Sequence, residues 1–135
     1  MAMIKLDTEK IRAMATFEKV TKVPVKDCII LEDCAYFLVQ EGKMGLAIGK
    51  NGSGIRDVKG ILGRHVKVFE YSDRPEQMIK NFIPEANSIE VNGGVASAAV
   101  PLEARSSVIG RNGNNIKTIR GFLERNFDIK NFRLR

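Results

Sequence analysis

One segment of this chain is written twice. Residues 48–62 read Ile-Gly-Lys-Asn-Gly-Ser-Gly-Ile-Arg-Asp-Val-Lys-Gly-Ile-Leu, and residues 109–123 read Ile-Gly-Arg-Asn-Gly-Asn-Asn-Ile-Lys-Thr-Ile-Arg-Gly-Phe-Leu. At an offset of 61 residues the two share Ile-Gly-basic-Asn-Gly, then an isoleucine, a basic residue, an aliphatic, a second basic residue, a glycine and a leucine. A repeat at this spacing fixes the architecture before any local reading does. It implies duplication, so the 135 residues, which by length alone suggest one domain, are expected to form two small ones.

Each copy reads as a tight Gly-x-x-Gly turn entering an amphipathic helix. Ile55, Val58 and Leu62 share one helical face, as do Ile116, Ile119 and Leu123. The glycines permit backbone angles closed to other residues and let another backbone approach. Asn51 and Asn112 tolerate the same angles and can cap a helix. The helix that follows presents unpaired N–H groups and the positive end of its dipole, which suits a phosphate. Lys50 and Arg111 add a full charge at the tip of each turn.

Charge follows the repeat. The chain carries 22 Lys and Arg against 16 Asp and Glu, net +6. Residues 43–67 hold six cations against Asp57, and residues 105–125 hold five against Glu124. The rest of the chain is therefore net acidic. Positive charge concentrated on two glycine-turn units is what a polyanion-binding surface needs.

The remaining residues read as the same element order in each half. The first half gives a helix at 8–21, capped by Asp7 or Thr8 and carrying Ile11, Met14 and Phe17 as its apolar face, ended by Val23-Pro24. Strands at 28–31 and 35–39 flank a Glu32-Asp33 turn. A short helix at 43–48 leads to the first glycine turn, and a helix at 52–63 and a strand at 66–70 follow it. In the second half Asp73 and Glu76 suggest a capping box with Pro75 in the first turn. That helix stops at Pro84. A hairpin turns at Asn92-Gly93-Gly94, a short helix spans 102–109, a longer one 113–125, and the last strand 129–134. Cys28 and Cys34 are expected to be reduced and buried, and His65 to be a structural or surface residue.

Other chemistries fit poorly. Gly45 to Asn51 has one residue too few for a phosphate-binding P-loop and lacks its Ser or Thr. No carboxylate pair, nucleophile–base set or metal cluster repeats with the turns, so neither catalysis, cofactor nor metal is expected. No apolar run approaches the roughly 18 residues of a membrane span, and Met1-Ala2-Met3-Ile4-Lys5 has no signal-peptide core, which points to the cytoplasm. A monomer is the default.

The Ile-Gly-basic-Asn-Gly segment between two helices, with Ile and basic residues after it, resembles the KH nucleic-acid-binding domain. The extra helix and strand at the N-terminal side of each half resemble its type II form. Two halves with almost no linker are similar to the paired KH domains of the NusA-like transcription factors, in their archaeal form. The resemblance covers essentially the whole chain. It implies an α+β fold of two tandem type II KH domains, residues 1–71 and 72–135, each a three-stranded sheet packed by three helices. It implies single-stranded RNA as partner, gripped about four nucleotides at a time, and RNA polymerase or the elongation complex as a further partner in transcription termination or antitermination. Gly49, Lys50, Asn51 and Gly52, and Gly110, Arg111, Asn112 and Gly113, would contact phosphates. Ile48, Ile55, Ile109 and Ile116 would form apolar groove walls. Arg56, Lys59, Lys117 and Arg120 would extend the positive surface. Ser53-Gly54 against Asn114-Asn115 would give the two grooves different base preferences, and a short linker would let them read one strand. A ribosomal or RNA-processing KH protein, and a KH-derived protein-interaction module, are the competing readings.

Overall fold

The structure is a computed structural model that describes residues 2–135, with side chains from Thr8 onward. The chain divides into two compact units, Met1–Tyr71 and Ser72–Arg135. Among the described residues each holds one three-stranded sheet and three α-helices, so the protein is α+β.

In the first unit the chain runs α1 (Ala2–Thr21), β1 (Val25–Ile30), β2 (Cys34–Val39), α2 (Met44–Ile48), α3 (Ser53–Leu62) and β3 (His65–Glu70). β1 and β2 form the expected hairpin, with Ile30 opposite Ala35. β2 then pairs in parallel with β3, from Cys34 opposite His65 to Val39 opposite Glu70. A parallel partner requires a crossover, and the α2–turn–α3 segment provides it. β2 is the middle strand and is buried along its whole length, which accounts for its uninterrupted Cys-Ala-Tyr-Phe-Leu-Val run. Phe37 on β2 stacks on Phe17 of α1 at 4.4 Å between ring centroids. Ala13, Val23, Val25, Cys28, Ala35, Val39, Ala47 and Val58 complete that core.

The buried Asp27 sits beside a bulge in β1. Its carboxylate accepts the Cys28 N–H at 2.8 Å and pairs with Lys10 at 3.1 Å, so the charge is not left uncompensated. Both cysteines are buried and neither is in a disulfide. Cys28 lies opposite Phe37 rather than Cys34. Burial pushes the Cys34 thiol above its ordinary value, against smaller opposing effects from Tyr36 and Lys67.

Two expectations for α1 change. The helix begins at Ala2, so Thr8 lies inside it and is no cap; the side chain of Asp7 lies outside the described residues. Ile11 is 66% exposed, and the buried face is carried instead by Ala13 and Phe17, with Met14 partly buried against the core.

The second unit repeats the order: α4 (Pro75–Phe82), β4 (Ser88–Asn92), β5 (Val95–Ala99), α5 (Arg105–Ile109), α6 (Asn114–Phe127) and β6 (Asn131–Leu134). β4 and β5 are antiparallel through a Gly93-Gly94 turn, and β5 and β6 are parallel. Phe122 of α6 is fully buried and stacks on Phe82 of α4 at 5.8 Å. Pro75 occupies the first turn of α4, but no side chain caps that helix. The Asp73–Glu76 capping box does not form; Ser72 Oγ instead accepts the Arg74 N–H at 3.3 Å. Residues 102–109 divide into a 3₁₀ turn, Leu102–Ala104, and α5. Among the described residues no helix is long and apolar enough to cross a membrane.

Candidate nucleic-acid interface

The two glycine turns have one backbone. After α2, Gly49 adopts φ 77°, ψ 173°; after α5, Gly110 adopts φ 79°, ψ 174°. Only glycine occupies that region without strain. Asn51 and Asn112 follow in the left-handed region at φ 55° each. Gly52 and Gly113 lie there too, at φ 76° and 71°. A single 3₁₀ turn, Lys50–Gly52 or Arg111–Gly113, thus joins each short helix to its long one. Neither Asn caps the long helix through its side chain. They are there because asparagine tolerates the left-handed angle.

The two glycines of a turn have different reasons to be glycine. A Cβ on Gly49 would lie 2.8 Å from the Gly54 nitrogen, and one on Gly110 would lie 2.6 Å from Asn115 Cβ. A Cβ on Gly113 would meet nothing within 4 Å, and one on Gly52 only the Arg56 guanidinium at 3.8 Å. The first glycine is therefore closed against its own helix. The second turns an open face outward, where another backbone can lie close. Lys50, Asn51, Arg111 and Asn112 are all exposed beside it.

In the first unit Arg56 folds back so that its guanidinium donates to the Asn51 carbonyl, bringing a second cation to the turn. Behind the turn lies an open groove of about 480 Å³ lined by Met44, Ile48, Gly52, Ile55, Arg56, Lys59, Val66 and Val68. Its floor is aliphatic, and its α3 side is edged by two cations. Ile48 is 38% exposed, while Ile55 is partly buried against the core. Ile48, Gly52, Ile55, Arg56 and Lys59 come together there as the sequence suggests; Gly49 and the exposed tips Lys50 and Asn51 stand at its end. Met44, Val66 and Val68 were missed. The Val66-x-Val68 alternation marks a strand face, but nothing in it says which groove that face borders.

β3 adds a further feature. His65 N–H donates to Asp33 O at 3.0 Å and Tyr71 N–H to Val39 O at 2.8 Å, both toward the β2 side. Alternation along the strand then turns the N–H and C=O groups of Val66 and Val68 to the side without a partner strand. A wider concavity of about 850 Å³ lies near the C-terminal end of α3, where Arg56 and Lys59 are joined by Glu32, Asp33, Arg64 and His65. His65 is exposed at the start of β3.

In the second unit Ile109 is half-buried, Ile116 is buried, and Lys117 and Arg120 are exposed. Arg120 is not only a surface charge: its Nε donates to the Phe132 carbonyl on β6 at 3.1 Å. Asn115 is buried, and its amide donates to Val108 O at 3.1 Å, bridging α5 and α6. Its counterpart Gly54 lies where a Cβ would come 2.4 Å from Ala47 O. The Gly54/Asn115 difference therefore sets how α2 and α5 seat on the long helices, rather than placing an amide on the groove surface. Among the described residues no group of three or more His, Cys, Asp or Glu side chains could hold a metal ion.

A family model of the KH domain matches residues 10–93, well over half of the chain. The chain belongs to the KH domain family. The KH match takes in the first unit from within α1 and continues through α4 and β4 of the second. This KH protein resembles archaeal NusA over nearly its full length. The probable transcription termination protein NusA of Methanocaldococcus jannaschii is 31% identical over 135 residues, covering 96% of this chain and 74% of that one. The protein of the same name from Halococcus morrhuae is 34% identical over 136 residues, covering 97% and 98%. The crystal structure of APE1850 matches with a TM-score of 0.76 at 29% identity, over 95% of this chain and 99% of its own.

Proposed function

We propose that the protein binds single-stranded RNA during transcription, as a NusA-like termination or antitermination factor, through two KH domains at residues 1–71 and 72–135. The observation that carries this reading is the doubled turn: one strained backbone, built twice, each time with an exposed cation at its tip and an open second glycine. A phosphodiester backbone would lie along Gly49–Gly52 and Gly110–Gly113, held by Lys50, Arg111 and the positive ends of α3 and α6. Bases would enter the groove over Ile48 and Ile55 in the first domain and over Ile109 and Ile116 in the second. Val66 and Val68 offer backbone donors and acceptors to base edges. The aliphatic floor suits bases splayed from a single strand and excludes a duplex, whose base edges are paired and stacked. The function is binding and not catalysis. The shared name of the relatives, probable transcription termination protein, supports a transcription role. The rest of the reading is a protein that acts as a monomer in the cytoplasm, with RNA polymerase or the elongation complex as second partner.

The test is binding to labelled single-stranded RNA, single-stranded DNA and duplex RNA over a salt series. Lys50→Asp/Asn51→Asp and Arg111→Asp/Asn112→Asp are compared with wild type, singly and combined. Single-stranded RNA is expected to bind best. Its affinity should fall with salt at about −0.7 log units per log unit for each phosphate contact. Each paired variant should weaken binding while keeping the thermal transition. Unchanged binding by the four-residue variant would sink the proposal and favour a protein-interaction role for the turns.

A further inference from the structure

The two grooves differ at one position in a way that bears on which bases they accept. Lys59 in α3 and Arg120 in α6 occupy the same place in the repeat. Lys59 lines the first groove. Its ammonium is a point charge on a flexible stem, with no preferred plane. Arg120 is anchored.

The anchor is on the open edge of the second sheet. In β6, Asn131 N–H donates to Gly94 O at 3.2 Å and Arg135 N–H to Ala98 O at 2.7 Å, both toward the β5 side. Phe132 and Leu134 therefore turn their backbone groups away from β5, as Val66 and Val68 turn theirs away from β2. The sheet registers make Phe132 the counterpart of Val66: Val66 pairs with Ala35 and Phe132 with Ala96, and these two alanines are again 61 residues apart. So the Phe132 carbonyl that accepts Arg120 Nε occupies the place of a wall residue of the first groove. The guanidinium spans from α6 to β6, at the place that corresponds by the repeat to the first groove.

A guanidinium has five N–H donors in one plane. With Nε on Phe132 O, that plane is fixed and the two Nη groups remain as a two-donor fork. We propose that Arg120 is the specificity-determining residue of the second domain, reading a base that offers two adjacent acceptors. Guanine offers O6 and N7; cytosine offers O2 and N3. Adenine sets a donor beside its N7, and uracil has an N–H between its two carbonyls, so neither matches the fork. In a single strand these edges are unpaired and can be read. The first domain, with Lys59 at this position, does not make the distinction. This inference rests on the RNA-binding reading above.

The experiment uses the full chain and four fluorescein-labelled 12-nucleotide RNAs: oligouridine, and oligouridine with one central G, C or A. Binding is followed by polarisation for wild type and Arg120→Lys, with thermal melts of both. Wild type is expected to bind the G or the C probe about ten-fold more tightly than the U and A probes, the scale of a good bidentate arginine–base pair; whichever leads identifies the base. Arg120→Lys keeps the charge but not the planar fork and should lose the preference, binding the four probes alike. A wild type without preference overturns the proposal, as does a lysine variant that keeps it. A lysine variant that binds all four probes more tightly also overturns it, because Arg120 would then be a strap filling the groove. Failure of wild type to bind any probe instead removes the RNA-binding reading itself.

Discussion

At the residue scale the turns depend on glycine for two separable reasons, and substitution should separate them. Gly113→Ala places a methyl in open space at φ 71°, so it carries mainly the left-handed penalty of about 1–2 kcal/mol. Gly49→Ala adds a 2.8 Å approach to the Gly54 nitrogen to a backbone region that already costs about 1–3 kcal/mol for a side chain. Gly54→Ala drives its methyl against the Ala47 carbonyl at 2.4 Å, with backbone on both sides. Urea denaturation should therefore rank Gly113→Ala mildest and Gly54→Ala among the most damaging. Equal losses at all three would contradict the packing described. Gly49, Gly52, Gly110 and Gly113 were legible because doubling made them so. Gly54 was not, because its counterpart is an asparagine, and only the closeness of α2 to α3 shows why the first unit cannot carry one.

At the element scale, hydrophobic pattern places every strand and helix but not every end: β1 starts at Val25 rather than residue 28 and β6 at Asn131 rather than residue 129, and helix starts differ where caps are inferred from residue type. Asp73 and Glu76 have the spacing of a capping box, yet Ser72 supplies the local hydrogen bond. Asp7-Thr8 resembles a helix start, yet α1 begins six residues before residue 8, at Ala2. Ile11 followed the helical period but falls on the outer face, since Ala13 and Phe17 fix which side meets β2. That contact is testable. Phe17 is fully buried against Phe37, so Phe17→Ala should destabilise the first unit by about 3–5 kcal/mol, most of the stability expected of about 70 residues. Denaturation monitored within residues 1–71 would show it. The Cys34 thiol makes a second test. Burial raises its pKa above 9.0, so the folded state holds this proton more tightly than the unfolded chain. That contribution to stability is complete below pH 9.0 and is lost as pH rises through the raised value. Disulfide-exchange reagents should label Cys34 slowly at neutral pH and rapidly in urea; fast labelling of the native protein would show the thiol to be accessible.

At the scale of the whole molecule, the repeat alone announced two units, and the observed division after Tyr71 falls where the strand of one copy gives way to the helix of the next. The composition of the groove floor was less legible. It is assembled from α2, α3 and β3, segments up to 24 residues apart from Met44 to Val68, and a single sequence holds no record of which strand face meets which helix. The anchoring of Arg120 was hidden for the same reason: a surface cation and a strand-pinned one look alike until β6 is placed beside α6. The parallel pairing that creates these grooves also governs how the chain must acquire its shape. Cys34 waits for His65, and Val95 for Asn131, so neither sheet can be completed by neighbouring hairpins alone. Ordering those chain loops is an entropic toll that rises only slowly with loop length, and the two closures are of similar span. Both units should therefore cross comparable barriers, in the intermediate range of mixed α/β topologies rather than at the speed of helical bundles. Until that step the glycine turn has no scaffold to hold it, and a newly made chain acquires each turn in its final form as a late event of folding.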